Sequence, residues 1–431
     1  MPPADTGASA VTRPGAAASA PAGTLRPGEP GYRRAIAALF AAGLATFALL
    51  YSTQALLPAL STGLSLSPAQ ASLTVSATTG ALALALLPVS ALSEKYGRTA
   101  VMTASVFSAS ALALAVPFAP DLTTLVVLRA AQGVALAGLP ATAMAYLGEE
   151  IHPKAVASAI GLYVAGNSIG GMSSRVLTGA VAQAFGWRAA LLAAGVMAVL
   201  CATAFRLLVP AARNFRPGPV SPAALWHTVT GHLGTPLLRR LYLIGLLFMA
   251  VFGAVYNVLG YRLAAAPFGL SQTAIGLIFL VYLVGTGASA ASGVLHGRLG
   301  RRGALYVAVV LAAGGLLLTL AGSLVLVLSG LVLVTAGFFT GHSIASGAVS
   351  RTATTGRAQA SALYLTAYYV GNSLGGTLGA SAFHSAGWTG TVAFCLAAVL
   401  GVAGVTLHAA RRAAADRRFG ASVGRTTRRA A

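Results

Sequence analysis

Twelve stretches of mainly apolar residues punctuate the chain, at 35–60, 70–92, 99–118, 122–147, 156–182, 188–209, 241–263, 273–295, 303–322, 324–347, 359–382 and 389–408. A bilayer core of roughly 30 Å takes ~20 helical residues to cross. Lipid offers no partner to an open backbone group, so each stretch must be α-helical. They are numbered here as spans 1 to 12. Only 8% of the 431 residues are charged, against about 25% in soluble domains. The seven acids, Asp5, Glu29, Glu94, Asp121, Glu149, Glu150 and Asp416, all fall in tails or joints. These features predict an all-α integral membrane protein of 12 transmembrane helices, with the lipid bilayer as its solvent.

The joints divide the chain. Residues 1–30 are rich in Ala, Pro and Gly and read as a disordered tail. Residues 31–209 form a first six-helix half, 210–240 a polar basic linker, 241–410 a second half and 411–431 a basic tail. Arginine and lysine set the orientation. With the N-terminus in the cytoplasm, Arg188 and Arg262 are the only outer cations, which places both termini inside. The net charge of +21 is therefore a topology signal rather than a nucleic-acid footprint. Cys201 and Cys395 lie within spans and read as small apolar residues, not a disulfide or metal pair.

The halves repeat one another. Ser90-Ala-Leu-Ser-Glu-Lys-Tyr-Gly-Arg98 aligns with Gly293-Val-Leu-His-Gly-Arg-Leu-Gly-Arg301 at an offset of 203. Gly166-Asn-Ser-Ile-Gly-Gly171 recurs as Gly371-Asn-Ser-Leu-Gly-Gly376 at 205, and Gly186-Trp187 as Gly387-Trp388 at 201. Two pseudo-symmetric six-helix bundles follow, with a site expected at their interface and reached alternately from each side. The glycine stretches lack the preceding strand and following lysine of a phosphate loop. They read as close helix contacts.

These residues resemble the major facilitator superfamily (MFS). The loop between spans 2 and 3 is similar to that family's G-x-L-x-D-R-x-G-R-[RK] signature through Leu92, Lys95, Gly97 and Arg98, with Ser90 and Glu94 as conservative departures. The copy between spans 8 and 9 keeps Gly293, Leu295, Arg298, Gly300, Arg301 and Arg302 but has Gly297 in place of the acid. Arg129-Ala-Ala-Gln132-Gly133 resembles R-x-x-Q-G. Tyr51–Pro58, Gly161–Ser173 and Tyr256–Arg262 look most like the bacterial YnfM-type inner-membrane transporters, a group described as efflux carriers. The resemblance implies a gating latch in which Glu94 meets the start of span 11 near Gln359, with Arg98 in the same cluster. It also implies a role for Arg129 near proton coupling.

Several polar residues interrupt the spans. Arg129 is read as a coupling group or as a cation stapling helices through backbone carbonyls. Arg175, past the middle of span 5 and without a mate in span 11, is read as facing the central cavity and attracting an anionic or strongly polar substrate. The alternative is that it snorkels or packs on carbonyls. His342 is a candidate proton carrier. Tyr51, Gln54, Asn167, Tyr256, Asn257, Tyr368 and Asn372 are candidates for the substrate cavity. The expectation is a monomeric inner-membrane transporter of a small-molecule substrate, exporting by alternating access on the proton gradient. No cofactor, metal, nucleotide or nucleic acid is expected, and no enzymatic activity. Import or facilitated passage of a small organic anion or sugar is the rival reading.

Overall fold

Proline and capping side chains set where the helices begin. Pro68, Pro153 and Pro236 occupy first turns, where a missing N–H costs nothing. At the start of span 2 the cap is reciprocal. Gln70 N–H donates to Ser67 Oγ (3.2 Å), and Ser67 N–H donates to Gln70 Oε1 (2.9 Å). Asp121 and Ser271 cap spans 4 and 8 by accepting from Thr124 N–H (2.8 Å) and Ala274 N–H (3.3 Å). The computed structural model describes residues 23–217 and 222–429, with side chains as far as His408. Among the described residues, nine helices are long and apolar enough to cross a membrane.

Three of the nine are too long for one crossing. Pro153–Leu208, Gln272–Leu318 and Arg357–His408 run for 56, 47 and 52 residues, roughly 70–85 Å of helix. Each breaks at a glycine of positive φ: Gly186 (82°), Gly300 (67°) and Gly387 (63°). Divided there, they supply spans 5 and 6, 8 and 9, and 11 and 12, so the described helices match the twelve stretches of the sequence. Gly97, the mate of Gly300, also has positive φ (95°) and makes the turn between spans 2 and 3. The sequence repeat is thus a repeat of backbone geometry.

Helix approach repeats as well. Gly166 and Gly170 of span 5 lie against the carbonyls of Phe40 and Leu44 in span 1. Gly371 and Gly375 of span 11 lie against those of Leu246 and Ala250 in span 7. A Cβ at any of the four would collide with backbone, so only glycine permits these crossings. Gly375→Leu is expected to destabilise the protein by at least about 1–3 kcal/mol through overpacking. Gly314→Leu, where no atom lies within 4 Å of an added Cβ, is expected to change stability by less than about 0.5 kcal/mol. Paired melting curves in detergent check both.

Two boundaries differ from expectation. Residues 1–22 of the expected disordered tail lie outside the described residues, but 24–29 are held in place. Leu25 N–H donates to Glu150 O (2.8 Å), and His152 N–H donates to Leu25 O (3.0 Å). Backbone pairing overrides a composition poor in large apolar side chains. In the linker a helix forms at Pro222–Gly234, and span 7 begins early, at Pro236. The basic C-terminal segment continues as helix to Arg429.

The linker is pinned at both ends. Buried Glu150 accepts from the N–H groups of Arg213 (2.8 Å) and Asn214 (2.7 Å) on the first half. On the second half, the His232 ring lies 3.1 Å from Gly356 O. The hydrogen bonds between the halves gather at the opposite end of the bundle. Tyr261 Oη meets Ser61 Oγ (2.6 Å) and donates to Leu57 O (2.8 Å). Gln272 N–H donates to Gln183 Oε1 (2.9 Å), and Ser373 Oγ donates to Ser76 O (2.7 Å). Gln272 Nε2 reaches Ala55 O. Spans 5 and 8 press together there through Gly179 and Gly276.

Candidate functional site at the seam between the halves

The site begins with a broken helix. Span 1 is α-helical from Pro30 to Leu50, turns at Tyr51–Thr53, and resumes through a 3-10 segment at Gln54–Leu56. Pro58 has no N–H to offer residue 54 and disfavours helix before it, which accounts for the interruption. The carbonyls of Leu49 and Leu50 at this break take extra donors, although Leu49 O already accepts from Ser52 N–H (3.3 Å) and Ser52 Oγ (3.0 Å). Arg129, wholly buried, supplies them: Nη1 donates to Leu49 O (2.9 Å), Nη2 to Leu50 O (2.8 Å) and Nε to Thr74 O of span 2 (2.9 Å). Its Nη1 also donates to Gln132 Oε1 (2.5 Å), and Gln132 Nε2 donates to Ala109 O of span 3 (3.1 Å). Gly133 lets span 4 lie directly on the Thr78 carbonyl. The whole R-x-x-Q-G motif therefore ties four spans together. A cation at the C-terminus of the first helical segment is also favoured by the helix dipole.

The same break sends Gln54 across the seam. Arg175 donates through Nε (2.8 Å) and Nη2 (2.5 Å) to Gln54 Oε1. Gln54 Nε2 donates to Asn257 Oδ1 of span 7 (2.7 Å). Asn257 Nδ2 donates to Ser72 Oγ of span 2 (2.9 Å), and Ser72 Oγ donates to Gly376 O of span 11 (2.9 Å). Every bond runs in one direction and the chain crosses the seam three times. Such aligned donors polarise one another in a dry interior. Arg175, Gln54, Asn257 and Ser72 are each at most 3% exposed.

Arg175 heads this chain without a carboxylate. Its remaining contacts are the Gly171 carbonyl and three aromatic faces, with guanidinium-to-centroid distances of 4.4 Å to Tyr51, 4.9 Å to Phe279 and 5.0 Å to Tyr282. Each cation–π contact is worth about 0.5–2 kcal/mol. The sequence reading placed this side chain facing a central cavity. In the structure it is roofed and 1% exposed, because the aromatic rings of spans 1 and 8 close over it.

The predicted cavity residues fall in three places. Tyr51, Gln54 and Asn257 join Arg175, and Tyr256 abuts them with its ring edge on Tyr282 (4.9 Å) and its hydroxyl 2.6 Å from Thr335 Oγ1. Asn167 and its repeat mate Asn372 sit instead at the close helix crossings, against Gly43 and Gly253. Asn167 Oδ1 and both polar atoms of the Asn372 side chain lack partners among the described residues. Tyr368 belongs to an aromatic group with His342 (4.9 Å) and Tyr369 (5.1 Å), and His342 Nδ1 lies 3.0 Å from Tyr364 Oη. Sequence reasoning missed Ser72, Phe279, Tyr282 and Thr335. The signal available for Ser72 was the run of hydroxyl residues Ser72, Thr74, Ser76, Thr78 and Thr79 in the first part of span 2.

At the linker end, Arg98 does not join span 11. Its Nη2 pairs with Glu149 Oε1 at 2.9 Å and its Nη1 donates to Ser93 Oγ at 2.6 Å, both within the first half. Phe215 of the linker covers the Arg98 guanidinium and the Gly97 turn. Glu94 is half-buried and has no hydrogen-bond or ion-pair partner among the described residues. The expected contact with Gln359 is not made in this form. Arg98 takes Glu149 because the end of span 4 brings that acid alongside, a proximity no local pattern records. The second copy of the motif makes its turn at Gly300 with Arg301 and Arg302 at the start of span 9.

The profile of the Major Facilitator Superfamily matches residues 38–376. The chain belongs to the Major Facilitator Superfamily. This MFS chain is 39% identical over 383 residues to the MFS-type transporter YybF of Bacillus subtilis, covering 88% of itself and 95% of that protein. It is 40% identical over 387 residues to the inner membrane transport protein YnfM of Escherichia coli, covering 89% and 93%. Among solved structures, a bacterial homologue of the human lysosomal transporter Spinster aligns with a TM-score of 0.71 at 18% identity, covering 89% of this chain and 97% of that one. The nucleoside transporter NupG aligns at 0.72 and 12% identity, covering 86% and 98%. The MFS chain is thus a multi-pass membrane transporter rather than an enzyme.

Proposed function

We propose that the chain moves a polar or anionic small molecule by alternating access, binding it at Arg175 and exporting it with the proton gradient as the driving force. The observation that carries this reading is the Arg175–Gln54–Asn257–Ser72 chain, a polar seam headed by a cation with no carboxylate partner. An anionic group can replace Gln54 at the guanidinium and loosen the seam in the same act. With the arginine-rich linker end in the cytoplasm, the form described is closed outward and lacks the Glu94 contact to span 11. That contact would form when the halves rock and the inner end closes. Substrate and proton would then alternate, with His342, inside the second half's aromatic cluster, as the proton-carrying group.

A second reading has its own support. No Asp or Glu lies within any span, which favours gradient-independent passage or import of an organic anion or sugar. Proteoliposomes loaded with anionic, neutral or cationic solutes, with and without a pH gradient, decide between them. Export predicts solute movement that collapses when the gradient is dissipated and loses its pH dependence in His342→Gln. Movement indifferent to the gradient selects the second reading. Movement of cations alone would sink the role given to Arg175.

A further inference from the structure

Between Glu150 and Asp416 the chain contains no carboxylate side chain. The second half therefore holds its cations without an acid of its own, and this matters most at the linker end. Arg239 and Arg240 open span 7, and His408 lies at the end of span 12. Their side chains make no hydrogen bond or ion pair among the described residues. The three line one open groove of about 460 Å³ between spans 7 and 12. Arg301 lies beside Arg240 in an adjoining recess.

Below these arginines the groove is apolar. Leu243, 41% exposed, and Val405 form its walls. Gly404 keeps it open, since nothing lies within 4 Å of where its Cβ would stand. Cationic groups above an apolar channel, at the end of a membrane-spanning bundle, match a phosphodiester joined to acyl chains. A zwitterionic headgroup carries its own cation and leaves the arginines unneutralised.

We propose that this groove binds the headgroup of an anionic phospholipid, with its phosphate between Arg239, Arg240 and His408 and an acyl chain along Leu243 and Gly404. The full chain, extracted from bilayers of phosphatidylethanolamine and phosphatidylglycerol, is examined by native mass spectrometry for retained lipid. Wild type is expected to retain phosphatidylglycerol in preference to phosphatidylethanolamine. Arg239→Gln/Arg240→Gln should lower that retention about tenfold. Gly404→Phe, which fills the channel and leaves every charge in place, should lower it comparably and decides the matter if the double variant fails to fold. Arg206→Gln/Arg357→Gln removes equal charge elsewhere and should leave retention unchanged. Equal loss in both double variants, no preference between the two lipids in wild type, or undiminished retention in Gly404→Phe overturns the proposal. So does displacement of the lipid by millimolar inorganic phosphate, which would mark a site for the free ion.

Discussion

Arg175→Ala is expected to abolish transport of anionic solutes while leaving a folded protein whose seam opposite the linker no longer holds. The guanidinium packs across the seam on Phe279 and Tyr282, each contact worth about 0.5–2 kcal/mol. Its two bonds to Gln54 hold the amide that crosses to Asn257. Losing even about 2 kcal/mol from one form shifts the balance between forms roughly thirtyfold. Arg175→Lys keeps the charge but has no planar fork with which to hold Gln54 and the Gly171 carbonyl together. It should retain weak anion transport with the equilibrium still displaced. Thiol labelling of a cysteine introduced at Ser61, beside Tyr261, reports the displacement, and proteoliposome flux reports transport. Unchanged flux of every anion in Arg175→Ala would show that the cation is only structural.

Arg129→Leu is expected to be worse for the protein than for transport as such. It leaves the carbonyls of Leu49, Leu50 and Thr74 without the donors that Arg129 gives them. Leu49 O keeps Ser52 and Thr74 O keeps Thr78 as donors, so Leu50 O is the group left unsatisfied, at about 1–3 kcal/mol. Losing the bonds to the guanidinium costs about 1.5–3 kcal/mol each, against a total stability of only about 5–15 kcal/mol for a typical fold. Little folded protein should reach the membrane, and Arg129→Lys should rescue part of it. Yield in the membrane, melting temperature and flux per folded molecule separate the outcomes. A variant that folds at wild-type level yet loses only its response to the pH gradient would assign Arg129 to coupling instead.

What the sequence made legible follows from what each signal depends on. Spans and repeats rest on apolar length and glycine spacing, so the twelve segments, the Gly97 and Gly300 turns and the Gly170 and Gly375 crossings could be anticipated. Arg175, Gln54 and Asn257 stood out because a polar group in a span is rare. Their pairing did not, since Gln54 and Asn257 are 203 residues apart. Arg129 stayed between coupling and helix stapling because most of its partners are backbone carbonyls, which every residue has. Phe279 and Tyr282 resemble any packing aromatic until a cation is seen between them. Glu149 was noted only as a loop acid, since its role depends on where the end of span 4 lies beside Arg98.

The pinned linker sets a mechanical end stop. One pin holds Asn214 to Glu150 on the first half, and the other holds the helix beginning at Pro222 to Gly356 on the second. Eight residue steps join Asn214 to Pro222, at most ~28 Å when fully extended, and the helix from Pro222 to the pin at His232 adds about 15 Å. The mouth at this end can widen only within that leash unless a pin lets go. Lengthening or shortening the leash therefore adjusts the stroke of the two halves without touching the solute site.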